Sequence, residues 1–425
     1  MKRNLSVPKP RLAMLRPKVL SAKWKLICVA LGFYLFIGLT QIVVLYPLHK
    51  TMDLPTWDEA NYMGGGDIFL HGGNLGPLDI SPVYTLIYAI LIKAAGRIAS
   101  IFCAQYLVKT FVSMMLFCFL SARFKSRLMA LLLTMIWVVS RVNVYEDVLV
   151  NFVALGLFLL ALACVERHRI MGLLLLCLCC LARLEYIFVF IPLAGYLAWE
   201  SLRIGVGRRQ SAQSGPKITG MRAWEYTSAS LLALVVVYVL FHVSAFGQGS
   251  QHAWFTFNQL YAEHEVEAGR FQLNPFIDYN LVMKVDFPGA TSLLQAFEVN
   301  PRAFTMHIAR NVPKTAMEAF WILAEPYRTP LLIVMRGVII GSFMTVILLA
   351  SASGKFTQNL LTALQNKKTI IYATVVSLLP LIPVQLGYPL PRYVVITVPF
   401  ILFWSGLVCQ EALEVTNSPR FSRRV

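Results

Sequence analysis

The chain has 425 residues, of which 57% are hydrophobic and only 14% charged, and its mean hydropathy is +0.64. Soluble proteins carry about 25% charged residues, so this composition excludes a soluble globular enzyme and predicts an all-α polytopic membrane protein. The net charge of +17 would suit a nucleic-acid binder. Its Lys and Arg instead collect in the termini and short connections, as the positive-inside rule requires of a membrane protein. No nucleic-acid partner is implied.

In chain order, a basic cytoplasmic tail (1–25) precedes an apolar run at 26–46 that is long enough to cross a bilayer. The tail, and the lack of a small-residue cleavage site, argue against a cleavable signal. The first outer loop, 47–98, follows. It holds Trp57-Asp58-Glu59-Ala60-Asn61-Tyr62 and the stretches Gly64-Gly65-Gly66 and His71-Gly72-Gly73, which read as flexible. Within it, Ser81 to Ala95 is apolar but short. Counting it as a span would put the basic 121–127 connection outside, so an interfacial or re-entrant helix is expected.

Further spans are expected near 99–120, 127–142, 147–164, 169–183, 185–202, 227–246, 330–351, 369–387 and 391–411, about ten in all. Basic connections at 121–127, 165–169, 203–226 and 352–368 alternate with the others, which places both termini in the cytoplasm. Most of the 21 Asp and Glu fall in the opposite segments 47–98, 143–148 and 247–329. The Arg208–Gly220 stretch reads as a flexible cytoplasmic linker.

The second outer region, 247–329, is too long for an idle connection. Short helices are expected at Gln259–Gly269 and Pro301–Asn311, the latter with Asn300 as cap and Pro301 at its first position. His264 lies between Glu263 and Glu265, but adjacent residues do not share a helix face. The expectation there is a solvated acidic helix, not a metal site. All eight cysteines fall inside apolar segments, so no disulfide framework is implied. Cys177-Leu178-Cys179-Cys180 reads as small packing residues.

Polar residues recur at membrane-edge positions of the outer side: Asp58 and Glu59, Glu146 and Asp147, Arg183 and Glu185, Arg392 and Tyr393. Any one is explained as well by an interfacial anchor. Together they meet the needs of one reaction, transfer of a sugar from a lipid-linked phosphate to a hydroxyl. That reaction needs a base for the acceptor proton and positive charge on the departing phosphate. Carboxylates also suit a divalent metal, Mg or Mn.

The pattern resembles the C-type (GT-C) membrane glycosyltransferases, particularly the branch of protein O-mannosyltransferases and aminoarabinose transferases. The matching segments are Trp57-Asp58-Glu59-Ala60-Asn61-Tyr62, Ser81-Pro82-Val83-Tyr84, Tyr145-Glu146-Asp147, Arg183-Leu184-Glu185, and Arg392-Tyr393 through Val398-Pro399. They run in order over most of the chain, and each is short. The resemblance implies a single GT-C-like transmembrane domain over 1–425, a polyprenyl- or dolichyl-phosphate sugar donor, and inversion at the anomeric carbon. It gives Asp58 the role of base and has Glu59 support it or help hold a metal. Glu146 or Asp147 becomes the second acid, and Arg392 and Arg183 face the donor phosphate. Tyr62, Glu185 and Tyr393 support these groups.

The sequence lacks the large soluble C-terminal domain of that branch, so recognition of a lipid, glycan or protein acceptor falls to 247–329. Compact size, short loops and the absence of an outer-side sequon suggest a bacterial inner membrane with the site facing the periplasm. Two other readings are an O-antigen polymerase or ligase-like enzyme, which would rely on loop arginines, and a lipid or sugar transporter. A transporter predicts ionisable groups near the middle of spans. A non-catalytic membrane scaffold would make these motifs accidental.

Overall fold

A computed structural model of the chain describes residues 17–46, 57–73, 81–146, 149–165, 168–196, 199, 245–324, 354–365, 368–386 and 391–416, with isolated positions between 337 and 348. The described residues form an all-helical protein with no β-strand among them. Three helices are long and apolar enough to cross a membrane: Ile27–Leu45, Arg97–Ser121 and Val395–Val415. Of the first window only 17% is buried, against 72% of the last. The first therefore lies at the margin, where Leu31, Leu35, Leu39 and Val43 form an exposed stripe at helical spacing.

The first of these windows belongs to α1 (Pro17–Leu45). After it come α2 (Trp57–Leu70), α3 (Pro82–Ala95), α4 (Arg97–Ser121), α5 (Arg127–Val138), α6 (Arg141–Tyr145), α7 (Val150–Val165) and α8 (Arg169–Ala182). A 3-10 turn, Leu184–Tyr186, leads into α9 (Ile187–Tyr196). Helices α3, α5, α7, α8 and α9 are apolar but have at most 16 residues each among the described residues. At about 1.5 Å per residue they fall short of the ~30 Å of a hydrocarbon core.

Two expected spans are interrupted for local reasons. The run 127–142 stops at Val138 because Ser140 caps a new helix, accepting the Asn143 N–H at 3.3 Å. The run 369–387 divides into Lys368–Ser377 and Leu381–Leu386. Pro380 lies in the break, lacking an N–H and disfavouring α geometry at Leu379. The expected spans 227–246 and 330–351, and the linker 208–220, lie almost wholly outside the described residues.

One core of buried apolar side chains joins α1 to α9 with the last helix, Val398–Thr416. The cysteines are free, and Cys177, Cys179, Cys180 and Cys409 are packed in this core. The glycine run of the first outer loop, expected to be flexible, lies inside α2, where it lets two backbones approach. A Cβ on Gly66 would lie 2.8 Å from the Ala89 backbone nitrogen and 3.0 Å from the Thr85 carbonyl oxygen of α3, whereas one on Gly64 meets nothing within 4 Å. Gly66→Ala is therefore expected to cost about 1–3 kcal/mol of stability. Gly64→Ala, in the same helix, should be neutral or gain up to ~1 kcal/mol. Thermal unfolding of the two variants in detergent checks the contrast.

The segment 245–324 has a second core of its own. Helices α10 (Ala245–Glu267), α11 (Tyr279–Asp286), α12 (Leu293–Val299) and α13 (Pro301–Ala324) enclose Phe257, Tyr261, Val282, Phe287 and Phe304. Asn300 caps α13 as expected, its Oδ1 accepting the Ala303 N–H at 3.1 Å. The helix runs well past the expected Asn311, so that Ile322 joins the main core.

The segment expected to be a solvated acidic helix is not one. His264 is 4% and Glu265 3% exposed. His264 Nδ1 faces His307 Nδ1 at 3.0 Å, and Lys314 Nζ, itself paired with Glu267, lies 3.0 Å from His264 Nε2. Glu265 is held by Arg270 and Arg310. Its partners His307, Arg310 and Lys314 come from α13, distant in sequence.

Burial, then the Lys314 and Arg310 cations, lower the His264 pKa from 6.5 to about 4. Between those values the unfolded chain binds a proton that the folded one does not. Stability contributed here is thus present at pH 7 and lost as pH falls from about 6.5 toward 4, by on the order of 3 kcal/mol. Hydrogen exchange of peptides from 257–307 at pH 7 and pH 5 checks this, and His264→Gln should flatten the slope.

Candidate active site

The first acidic pair opens α2. Glu59 is 1% exposed, and its carboxylate is met from two directions. Tyr84 and Tyr88 lie one turn apart on the same face of α3, and both hydroxyls donate to Glu59 Oε1, Tyr88 at 2.5 Å. The Leu149 N–H, at the start of α7, donates to Oε2 at 3.3 Å. Tyr62, one turn after Glu59, packs its ring 5.1 Å from that of Tyr84.

The Ser81-Pro82 start sets the position of α3. Ser81 Oγ accepts the Tyr84 N–H at 3.2 Å and donates to the Leu181 carbonyl at 3.5 Å, with Pro82 at the first helical position. This ties α3 to the end of α8, next to Arg183.

Arg183 ends α8 in an extended conformation. Its Nε donates to Glu185 Oε2 at 3.1 Å and its Nη2 to Oε1, a two-pronged pair. The guanidinium lies 5.8 Å from the ring centre of Tyr393, and Tyr62 is near enough to interact with it electrostatically. Glu185 occupies one edge of the fork and leaves N–H groups on the other edge for a ligand oxygen.

The structure thus brings together Glu59, Tyr62, Arg183, Glu185 and Tyr393, four segments of the chain counting the Leu149 amide. Glu146 is half-buried and terminates α6, its N–H donating to the Val142 carbonyl at 3.1 Å. Asp58 is the second residue of α2 and Arg392 the second of the Pro391–Val394 helix. Both side chains lie outside the described residues, as does Asp147.

Sequence reasoning missed Tyr84 and Tyr88 as carboxylate donors. The signal was there: two tyrosines at i and i+4 on a short helix following an acidic pair. The Leu149 amide had none, because a backbone donor has no side-chain signature.

No family model, curated protein or solved structure matches the chain. The local chemistry therefore carries the functional reading. Among the described residues, no three His, Cys, Asp or Glu side chains form a group able to hold a metal ion. Both Glu59 oxygens accept from protein donors and both Glu185 oxygens from Arg183. Of the other acids expected near a metal, Glu146 ends α6, and the side chains of Asp58 and Asp147 lie outside the described residues.

A buried polar network lies beneath the site. Gln41 Oε1 accepts from Ser113 Oγ at 2.9 Å and from Asn143 Nδ2 at 3.2 Å. Lys109, fully buried near the middle of α4, reaches up to the Val144 carbonyl at 3.0 Å. That carbonyl belongs to α6, which leads to Glu146.

The tyrosine–carboxylate cluster generates a prediction. Tyr84→Phe should cost about 1–3 kcal/mol, the range for a lost hydrogen bond to a buried charged group. In a Glu59→Gln background the same change should cost measurably less, because the two residues couple. A double-mutant cycle on unfolding checks this, and equal costs in both backgrounds would contradict the pairing.

Proposed function

We propose that the chain is a membrane-embedded glycosyltransferase that moves a sugar from a polyprenyl-phosphate donor to an acceptor hydroxyl at the outer membrane face. The observation that carries this reading is the meeting of an anchored acidic helix start with an oriented arginine. Glu59 fixes the first turn of α2, and with it the backbone of Asp58, while Glu185 presents Arg183 beside Tyr62 and Tyr393.

In this mechanism the acceptor hydroxyl enters from the outer side and Asp58 takes its proton. The hydroxyl oxygen attacks the anomeric carbon on the face opposite the phosphate. The bond from that carbon to the phosphate oxygen breaks, and the lipid phosphate leaves with the electron pair. Arg183 and Arg392 stabilise its charge, which is the largest electrostatic demand of the reaction. Attack opposite the leaving group inverts the anomeric centre.

The same reading includes a GT-C-like arrangement of about ten spans, cytoplasmic termini and a periplasm-facing site in a bacterial inner membrane. A transport path is the second reading, because Lys109 is a buried ionisable group at the middle of α4, with its Nζ donating to the Val144 carbonyl.

The test is transfer from a panel of radiolabelled polyprenyl-phosphate sugars by purified protein supplied with lipid and glycan acceptors. Asp58→Asn should lower turnover by roughly 10²–10⁴-fold, the range for a general base, with the fold unchanged. Arg183→Ala should slow lipid-phosphate release, and Arg183→Lys should recover only part of it because the two-pronged geometry is lost. Full turnover in Asp58→Asn would remove the base assignment.

A further inference from the structure

The outer region contains a cavity of about 240 Å³ between α10, α11 and the start of α13. Its charged lining is Glu265, Arg270, Asp286, Arg302 and Arg310, joined by Tyr261 and Asn300. The two carboxylates are already committed. Glu265 accepts from Arg270 and from Arg310 Nη1 at 2.8 Å. Asp286 takes both Nη groups of Arg270, at 2.9 and 3.0 Å, and the Tyr261 hydroxyl at 2.8 Å.

The guanidinium groups are not used up. Three arginines face two acids, and Arg302 enters no ion pair among the described residues. Arg310 spends only Nη1 on Glu265. The cavity therefore has a surplus of positive charge and of N–H donors in fork geometry, which matches the paired oxygens of a carboxylate or phosphate. Its volume corresponds to roughly eight waters at ~30 Å³ each, room for an anionic group and the small ring that bears it.

The cavity also shares a helix with the candidate active site. Helix α13 begins at this pocket and packs further along against α6 and the segment that carries Tyr393. We propose that the pocket binds the carboxylate or phosphate of an anionic acceptor and holds it for the site below. The acceptor role rests on the transferase reading; the anion binding does not.

The experiment uses the full chain in phosphatidylcholine nanodiscs, titrated calorimetrically with glucuronate, inorganic phosphate and, as neutral control, glucose. Saturable binding of glucuronate or phosphate, without binding of glucose, is expected. Arg302→Glu, at an exposed position, should weaken it at least tenfold at unchanged melting temperature. Asp58→Asn should bind the anion like wild type, so a failed transfer assay would leave this result standing. Absence of saturable anion binding, or equal binding by Arg302→Glu, would overturn the assignment. Displacement of the soluble anion by phosphatidylglycerol added to the nanodiscs would overturn the acceptor role in favour of a lipid headgroup.

Discussion

Burying a carboxylate inside a protein costs several kcal/mol unless its oxygens are fully hydrogen-bonded. At Glu59 that requirement is met by two tyrosine hydroxyls and one backbone amide. The donors come from α3 and from the start of α7, so three parts of the chain must hold one register for the charge to be tolerated. Helix α2 cannot slide along α3 without leaving an acceptor or donor unpaired. The glycine contact at Gly66 allows the two backbones to come close enough for the tyrosines to reach.

A second polar pairing stands beside the first. Arg183 is oriented by Glu185 and lies over Tyr393, with Tyr62 between the two clusters. An acid fixed by neutral donors next to a cation fixed by its own carboxylate gives separate charges of defined position. In the proposed mechanism the first fixes the helix start that carries Asp58, and the second faces the donor phosphate. The apolar core beneath supplies rigidity. The segment 245–324, with its own core and ion pairs, meets it among the described residues through the long helix α13.

Much of this was legible in the sequence, for physical reasons. Low charge and long apolar runs specify an all-helical fold with helices long enough to cross a membrane, and Asn300-Pro301 specifies a helix start. Charged residues at span edges are costly enough that Glu59, Arg183 and Glu185 stood out. Side-chain context was not legible. His264 and Glu265 looked solvated because the partners that bury them, His307 and Arg310, lie over forty residues away. Gly64 to Gly66 looked flexible because glycine's packing role depends on what lies opposite. Apolar runs also overstated span length where Ser140 or Pro380 breaks the helix. Tyr84 was seen as part of a motif, but its hydroxyl's destination was invisible.

The central claim is that the outer-end cluster around Arg183 receives a lipid phosphate. The most direct measurement is a cryo-electron microscopy structure of the chain in nanodiscs with bound polyprenyl phosphate, the expected product. The phosphate should lie within hydrogen-bond reach of Arg183, on the edge of its guanidinium not occupied by Glu185. A phosphate bound at the cytoplasmic end, or along the middle of the spans beside Lys109, would contradict the transferase reading and favour transport.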